Sequence, residues 1–233
     1  MRNELPLVVS LTTIPPRFGQ LPQVVAALQA QDRAPDQIIL CLPQVYRRFA
    51  GPITPPDLPG LRILRPPTDP GPAGKLTLAA QALRGQGCRL PFCDDDWLYG
   101  PGWTQGFLDA ARKHPEAVIC GASFAAQRLG LPNAPDTARI AQGFAGVMLQ
   151  PDWLDDAALN PPQEAWPVDD IWLSAQFARL GRAVIQAPGL RAQASPLPDP
   201  EPLQDAVFAG EGRGQLNQQL AHKLATQYHI WGL

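Results

Sequence analysis

The sequence predicts an α/β protein with a mostly parallel sheet flanked by helices and a helical tail at its C-terminal end. Three observations lead there. Runs such as 5–14, 37–43 and 90–93 are mostly apolar and do not alternate, as strands covered on both faces do not. Stretches with helical spacing separate the first runs, and strand-helix-strand order gives parallel pairing through a crossover. Polar residues bunch where the apolar runs stop, most sharply at Asp94-Asp95-Asp96.

Residues 5–14 read as the first buried strand, ended by Pro15, Pro16 and Arg17. Over 20–31, Leu21, Val24, Val25 and Leu28 fall on one helical face. Residues 37–43 form a second strand, and 44–60, rich in Pro and Gly and holding Tyr46, Arg47 and Arg48, an irregular connection. A third strand covers 61–64, a helix about 75–84, and a fourth strand the run that stops at the three acids. Pro101 opens a helix with Trp103, Phe107 and Ala111 on one face, and 117–123 is a fifth strand. Residues 124–140 read as a loop, 141–150 as a strand-like stretch with two glycines, and about 151–158 as a short helix. A helix begins near Asp169-Asp170 and ends before Gly181, a plausible C-terminal cap; 183–187 is a last short strand. Residues 188–202 read as a proline-rich linker, and 214–228 as a helix with Leu216, Leu220 and Leu224 on one stripe. No internal repeat and no clear boundary divides the 233 residues, so one domain is expected over 1–233.

A net charge of -2 gives no electrostatic case for nucleic acid. Charged residues at 17% and hydrophobic ones at 45% fit a packed core, and 28 prolines imply stiff loops. The four cysteines, Cys41, Cys88, Cys93 and Cys120, form no Cys-x-x-Cys pair and are expected as buried thiols in a reducing compartment. No stretch approaches the ~20 apolar residues of a membrane span, and the start of the chain lacks a leader pattern. A cytoplasmic protein is expected, with peripheral contact to the inner membrane left open.

In an open parallel sheet, ligands sit beyond the carboxyl ends of the strands. Thr12, Thr13 and Arg17 follow strand one, Asp69 to Lys75 follow strand three, and Asp94 to Asp96 follow strand four. If the strand continues, Asp94 and Asp96 share a face and Asp95 points away. Two such carboxylates suit Mg²⁺ or Mn²⁺, which would hold the phosphates of a nucleotide-linked substrate. An acidic loop capping the next helix is the plainer alternative. Lys75 could neutralise a phosphate, and Gly74-Lys75 at a helix start could bind an anion through backbone N–H groups; a surface lysine beside a turn is the alternative. Arg17 stands at a helix start, where the dipole disfavours a cation, so it requires a partner: a diphosphate, Asp32 or another carboxylate. Of Asp169 and Asp170, one could be an N-cap; the other, walled by Trp166 and Trp172, would have a raised pKa and could deprotonate a hydroxyl. His222 and His229 are expected in solvent, unless the tail folds back and one completes a metal shell.

Taken together, these residues resemble a GT-A-fold glycosyltransferase, similar to the family 2 enzymes, over roughly 5–187. The resemblance implies that Asp94 to Asp96 are the family's Asp-x-Asp, with Asp94 and Asp96 on a divalent ion and all three acids, with Lys75, at the diphosphate. It implies that Thr12, Thr13 and Arg17 face the nucleotide, and that Asp169-Asp170 hold the acceptor base, with Asp170 in that role. A nucleotide-binding half (1–123), an acceptor half (124–187) and a linker with a terminal helix (188–233) are then expected. So are a UDP-linked sugar donor, a carbohydrate or other hydroxyl acceptor, inversion, and a place in polysaccharide biosynthesis. Gly143 and Gly146 would let the acceptor approach the backbone. Two departures stand out. The acidic turn after strand two is replaced by Leu42-Pro43-Gln44, and the Gln-x-x-Arg-Trp signature of processive synthases is missing. A nucleotidyltransferase or another metal-dependent nucleotide-processing enzyme on a similar frame is one alternative; a non-catalytic sugar-nucleotide-binding module is another.

Overall fold

Strands that present apolar residues to both faces need cover on each, and the chain supplies it. The computed structural model describes residues 5–198, 207–208 and 210–233. In chain order they form β1 (Val8–Thr12), a 3-10 turn (Pro15–Arg17), α1 (Leu21–Gln29), β2 (Gln37–Cys41), β3 (Leu61–Leu64), α2 (Gly74–Leu83), β4 (Leu90–Cys93), β5 (Trp97–Tyr99), α3 (Trp103–Lys113) and β6 (Val118–Cys120). There follow β7 (Ser123–Ala125), β8 (Arg139–Ala141), β9 (Val147–Leu149), α4 (Asp156–Leu159), α5 (Asp169–Arg179), β10 (Val184–Gln186), β11 (Ala194–Pro196), the two-residue strands β12 (Val207–Phe208) and β13 (Glu211–Gly212), and α6 (Arg213–Tyr228).

Seven strands make the central sheet in the order β10-β6-β9-β4-β1-β2-β3. All run the same way except β9, which is antiparallel to β4 and β6. Alternation along the strands divides the core. Val9 and Leu11 of β1 pack with Leu21, Val24 and Leu28 of α1 and with Trp103 and Phe107 of α3. Val8 and Phe92 pack on the opposite side with Leu76 and Leu83 of α2, Phe177 of α5 and Leu220 and Leu224 of α6. The α1 face is Leu21, Val24, Val25 and Leu28, as the spacing predicts. After β1 the chain builds outward through β2 and β3, then returns to place β4 on the other side of β1. That reversal is the switch point at which α/β sheets open a crevice. The register sets Leu11 opposite Cys93, so Thr12-Thr13 and Asp94-Asp95 leave the sheet side by side.

Four sequence expectations change. Residues 124–140 are not a plain loop: β7 and β8 pair as an antiparallel hairpin, with Phe124 opposite Ile140. The fifth strand stops at Cys120, because the chain bends at Gly121, where a Cβ would lie 2.4 Å from the Ala145 carbonyl oxygen. Segments of three residues carry too little period to announce themselves. The stretch 141–150 splits into a 3-10 turn, Gly143–Ala145, and β9. Residues 188–198 are no linker: a 3-10 turn, Leu190–Gln193, leads into β11, which pairs antiparallel with β5. Residues 199–202 of that expected linker, and 1–4 of the expected start, lie outside the described residues. All four cysteines are free and buried. Among the described residues no helix is long and apolar enough to cross a membrane.

Gly146 also serves packing. It has φ +87°, and a Cβ there would lie 2.4 Å from Cζ2 of Trp103, itself wholly buried with its indole N–H on the Ala145 carbonyl. The substitution Gly146→Ala meets both a disfavoured backbone and an unyielding ring, and is expected to cost at least about 2 kcal/mol, read as a lower denaturant midpoint.

Candidate functional site

The carboxyl ends of β1 and β4 open into a cleft of about 530 Å³. Thr12, Thr13, Arg17, Lys75, Asp94, Asp95, Asp96, Asp169 and Asp170 all line it, so the structure brings these nine residues together. Six carboxylates and four cationic side chains line the cleft, an excess of negative charge before any ligand arrives.

β4 ends at Cys93, and the three acids lie beyond it, so strand alternation no longer governs them. Asp95, expected to point away, is buried and is the most firmly held of the three: it accepts from Thr13 Oγ1 at 2.5 Å and Arg17 Nη1 at 2.6 Å. Burial pushes its pKa up, against the opposing pull of Arg17 and Thr13. Arg17 also reaches Asp96 at 3.2 Å, so its partners are these acids rather than Asp32. Asp94 accepts from Lys75 Nζ at 2.6 Å. Tyr99 fixes the turn: its hydroxyl donates to the Asp94 carbonyl at 2.9 Å, and the same hydroxyl oxygen accepts from the Asp94 N–H at 3.1 Å. The turn is also strapped from outside, since the N–H of Leu197, just after β11, donates to the Asp96 carbonyl at 2.7 Å.

Lys75 differs most from expectation. Its side chain is 3% exposed, and its ammonium sits 2.6 Å from Asp94 and 2.9 Å from Asp169. Burial pulls its pKa down, but Asp169 and Asp94 outweigh that and hold it well above the usual lysine value. So placed, Lys75 acts on a phosphate only through the two carboxylates. Backbone anion binding at the start of α2 is also excluded: the N–H groups of Gly74, Lys75 and Leu76 are bonded to the carbonyls of Gly71, Pro72 and Ala73.

The second acid pair begins α5, and neither member is its N-cap; that place is Val168. Asp169 is buried. Burial raises its pKa, but Lys75, with Arg213 3.7 Å away, outweighs this and keeps it below the usual carboxylate value. Asp170 accepts from the Gly143 N–H at 3.1 Å, and its pKa is raised to about 7 by burial first and then by the Asp169 charge. Environment thus separates two adjacent carboxylates into one kept ionised and one poised to exchange a proton near neutrality. The apolar wall beside them includes Trp166 but not Trp172, whose indole N–H turns to the Ala158 carbonyl in the core. At Gly143 a Cβ would lie 2.9 Å from Lys75 Nζ, so a side chain there would press on the ion pair.

Asp94 and Asp96 are hard oxygen donors on the cleft wall. Among the described residues no three His, Cys, Asp or Glu side chains converge as a metal cage. That donor set fits Mg²⁺ or Mn²⁺ held by one or two carboxylates together with substrate phosphates. Neither histidine contributes, because His222 and His229 are exposed away from the cleft. The tail does fold back, but what it brings is Arg213 and Asn217. Arg213 escaped the sequence reading although it carries the same signal as Arg17, a cation at a helix start. Tyr46 and Asp69 also belong to the site. Tyr46 donates its hydroxyl to the Thr13 carbonyl at 2.6 Å, and Asp69 accepts from the N–H groups of Gly71 and Arg47, locking the loop before α2.

No protein-family model matches the chain, and no curated protein does. Solved structures do. Over 81% of this chain and 56% of its own, the mannosyltransferase PcManGT from Pyrobaculum calidifontis, in complex with GDP-Man and Mn²⁺, superposes with a TM-score of 0.57 at 15% identity. Glucosyl-3-phosphoglycerate synthase from Mycobacterium tuberculosis, with Mn²⁺, UDP and glucosyl-3-phosphoglycerate, gives 0.58 at 14% identity over 97% of this chain and 81% of that one. TarS 1-349 of S. aureus with UDP gives 0.55 at 12% identity over 79% and 58%. The chain thus spans little more than half of two of these proteins. The likeness is one of fold, and it establishes the GT-A fold of these glycosyltransferases for this chain.

The raised pKa of Asp170 has a stability consequence. Below about pH 4 the group is protonated in both folded and unfolded chains and contributes nothing; between 4 and 7 only the unfolded chain ionises, so stability falls as pH rises, and above 7 the full cost is present. Asp170→Asn removes the charge and keeps an acceptor for Gly143. It is expected to melt about 3 °C or more above the parent at pH 8, with the gap closing by pH 4, as followed by circular dichroism.

Proposed function

We propose that the chain is a metal-dependent glycosyltransferase that moves a sugar from a nucleotide-sugar donor, UDP-linked, to an acceptor hydroxyl with inversion at the anomeric carbon. The observation that supports this most directly is the meeting of the two acid clusters on one cleft, joined through Lys75, at the switch point of the sheet. The fold likeness to enzymes described with GDP-Man, UDP, Mn²⁺ and glucosyl-3-phosphoglycerate agrees with it.

In this reading Thr12, Thr13 and Tyr46 form the nucleotide end, and Arg17 fixes Asp95 and Asp96 in place. Asp94 and Asp96 would hold Mn²⁺ or Mg²⁺, which supplies neutralisation for the leaving diphosphate and offsets the acidic surplus of the cleft. Arg213 adds a cation from the tail. Lys75 bridges Asp94 and Asp169 and keeps Asp169 ionised, and Asp169 in turn raises the pKa of Asp170. Asp170 then takes the acceptor proton as the oxygen attacks the anomeric carbon from the face opposite the leaving group. Positioning and charge stabilisation provide most of the acceleration.

The test is a panel of UDP- and GDP-sugars with Mn²⁺, followed by release of nucleoside diphosphate. The expected result is diphosphate release from one donor. Asp170→Asn should lower turnover at least about 100-fold while nucleotide affinity holds, and Asp96→Ala should lose Mn²⁺-dependent affinity itself. Release of pyrophosphate would point to nucleotidyl transfer. Undiminished turnover in Asp170→Asn would contradict the assignment of the base.

A further inference from the structure

Two buried hydroxyls, those of Tyr99 and Ser174, stand behind the cleft without lining it. Both bond the backbone of one short segment, residues 141–144, from its two ends. Gln142 is extended, with φ -115° and ψ 122°. The N–H groups of Ala141 and Gly143 therefore leave the chain on one side and that of Gln142 on the other. The Gln142 N–H donates to the Ala122 carbonyl at 3.0 Å. On the side of α5, Ser174 Oγ accepts from the Ala141 N–H at 3.0 Å, and Asp170 accepts from the Gly143 N–H at 3.1 Å. Asp170 and Ser174 are one helical turn apart on one face. The two periods mesh: two residues of extended chain cover about 6.6 Å, and four residues of helix about 6 Å.

At the other end, the Phe144 carbonyl accepts from the Tyr99 hydroxyl at 3.1 Å. The same hydroxyl bonds both the carbonyl and the N–H of Asp94, so its one proton is shared between two carbonyls. Tyr99 is itself fixed: its ring lies 4.6 Å from that of Trp103, and its carbonyl accepts from Gln31 Nε2 at 3.1 Å. A phenyl ring would fill the same space, so packing alone does not call for the hydroxyl. The segment thus runs as a bar of main chain, held at each of its four residues, from the turn bearing Asp94 and Asp96 to the helix bearing Asp170. Lys75, by contrast, joins Asp94 to Asp169 through a single long side chain. In the displacement proposed above, the base and the leaving diphosphate stand on opposite sides of the anomeric carbon. An error of about 1 Å in their placement costs on the order of 100-fold in rate.

We infer that residues 141–144 set the spacing between the acidic turn and the general base, and that Tyr99 and Ser174 are the positioning residues at the two ends of that bar. This rests on the functional reading above and adds to it two side chains that act on the rate without touching substrate.

The experiment compares the full chain with Tyr99→Phe, Ser174→Ala and a control, Thr104→Val. The control removes another buried hydroxyl, which donates to the Arg33 carbonyl at 2.7 Å and has no bond to the segment. One readout is amide hydrogen exchange over residues 141–146 by mass spectrometry, without ligand. The other is turnover with Mn²⁺ and a panel of UDP- and GDP-sugars, set beside UDP and GDP affinity by calorimetry. Tyr99→Phe and Ser174→Ala are each expected to exchange at least about tenfold faster over the segment. Each should also lose about ten- to a hundredfold in kcat, with donor KM and nucleotide affinity unchanged within twofold. Thr104→Val should do neither. The inference is overturned if kcat stays within twofold in both variants, if nucleotide affinity falls along with kcat, or if Thr104→Val slows turnover as much. Should one of the two variants fail to fold, the other decides. A parent that turns over no donor contradicts the functional reading, whereas unchanged exchange in both variants contradicts the bar whatever the donor.

Discussion

The ammonium of Lys75, buried between Asp94 and Asp169, is the contact on which the cleft depends. It joins three pieces of chain that have no local reason to meet: the first turn of α2, the turn after β4 and the first turn of α5. A buried charge left without its partner costs on the order of 3–5 kcal/mol, so none of the three can drift without exposing that cost. The same ammonium crowds the Cα of Gly143, whose N–H donates to Asp170 at 3.1 Å. One ion-pair triad thus fixes the acids at the strand tip, the ionised Asp169, and through Gly143 the acid with the raised pKa.

The two acid clusters divide their work by environment more than by residue type. At the strand tip, Asp95 is tied inward to Thr13 and Arg17 and anchors the turn, while Asp94 and Asp96 stay partly open to the cleft. On α5, Asp169 faces two cations and Asp170 faces Asp169. A cleft that carries more acids than cations is costly when empty and receptive to a divalent ion, and the stability Asp170 gives up near neutral pH is part of the same arrangement. The segment after β10 completes the cleft: β11 straps the acidic turn, and α6 returns Arg213 to Asp169.

Much of this was legible in the chain. Unbroken apolar runs marked β1, β2 and β4, the α1 face matched its spacing residue for residue, and the polar bunches lay where the strands end. What escaped was set by tertiary contacts. The three-residue strands β7, β8 and β11 exist because partners pair with them, and no sequence period of that length is visible. Strand alternation does not set Asp94, Asp95 and Asp96, because β4 ends at Cys93, before the first of them. Gly146 has a packing reason that no pattern in the sequence shows, since Trp103 occupies the space a side chain there would need. Arg213 and Tyr46 were hidden by distance along the sequence, though a cation opening a helix was a usable sign.

Crystals grown with Mn²⁺ and UDP would test the arrangement most directly, through the anomalous scattering of the ion. The geometry predicts a manganese peak about 2.1 Å from a carboxylate oxygen of Asp94 or Asp96, with the diphosphate beside it and Lys75 still seated between Asp94 and Asp169. A peak remote from the tip of β4, or a Lys75 drawn out of its pair to grip the phosphate itself, would contradict it.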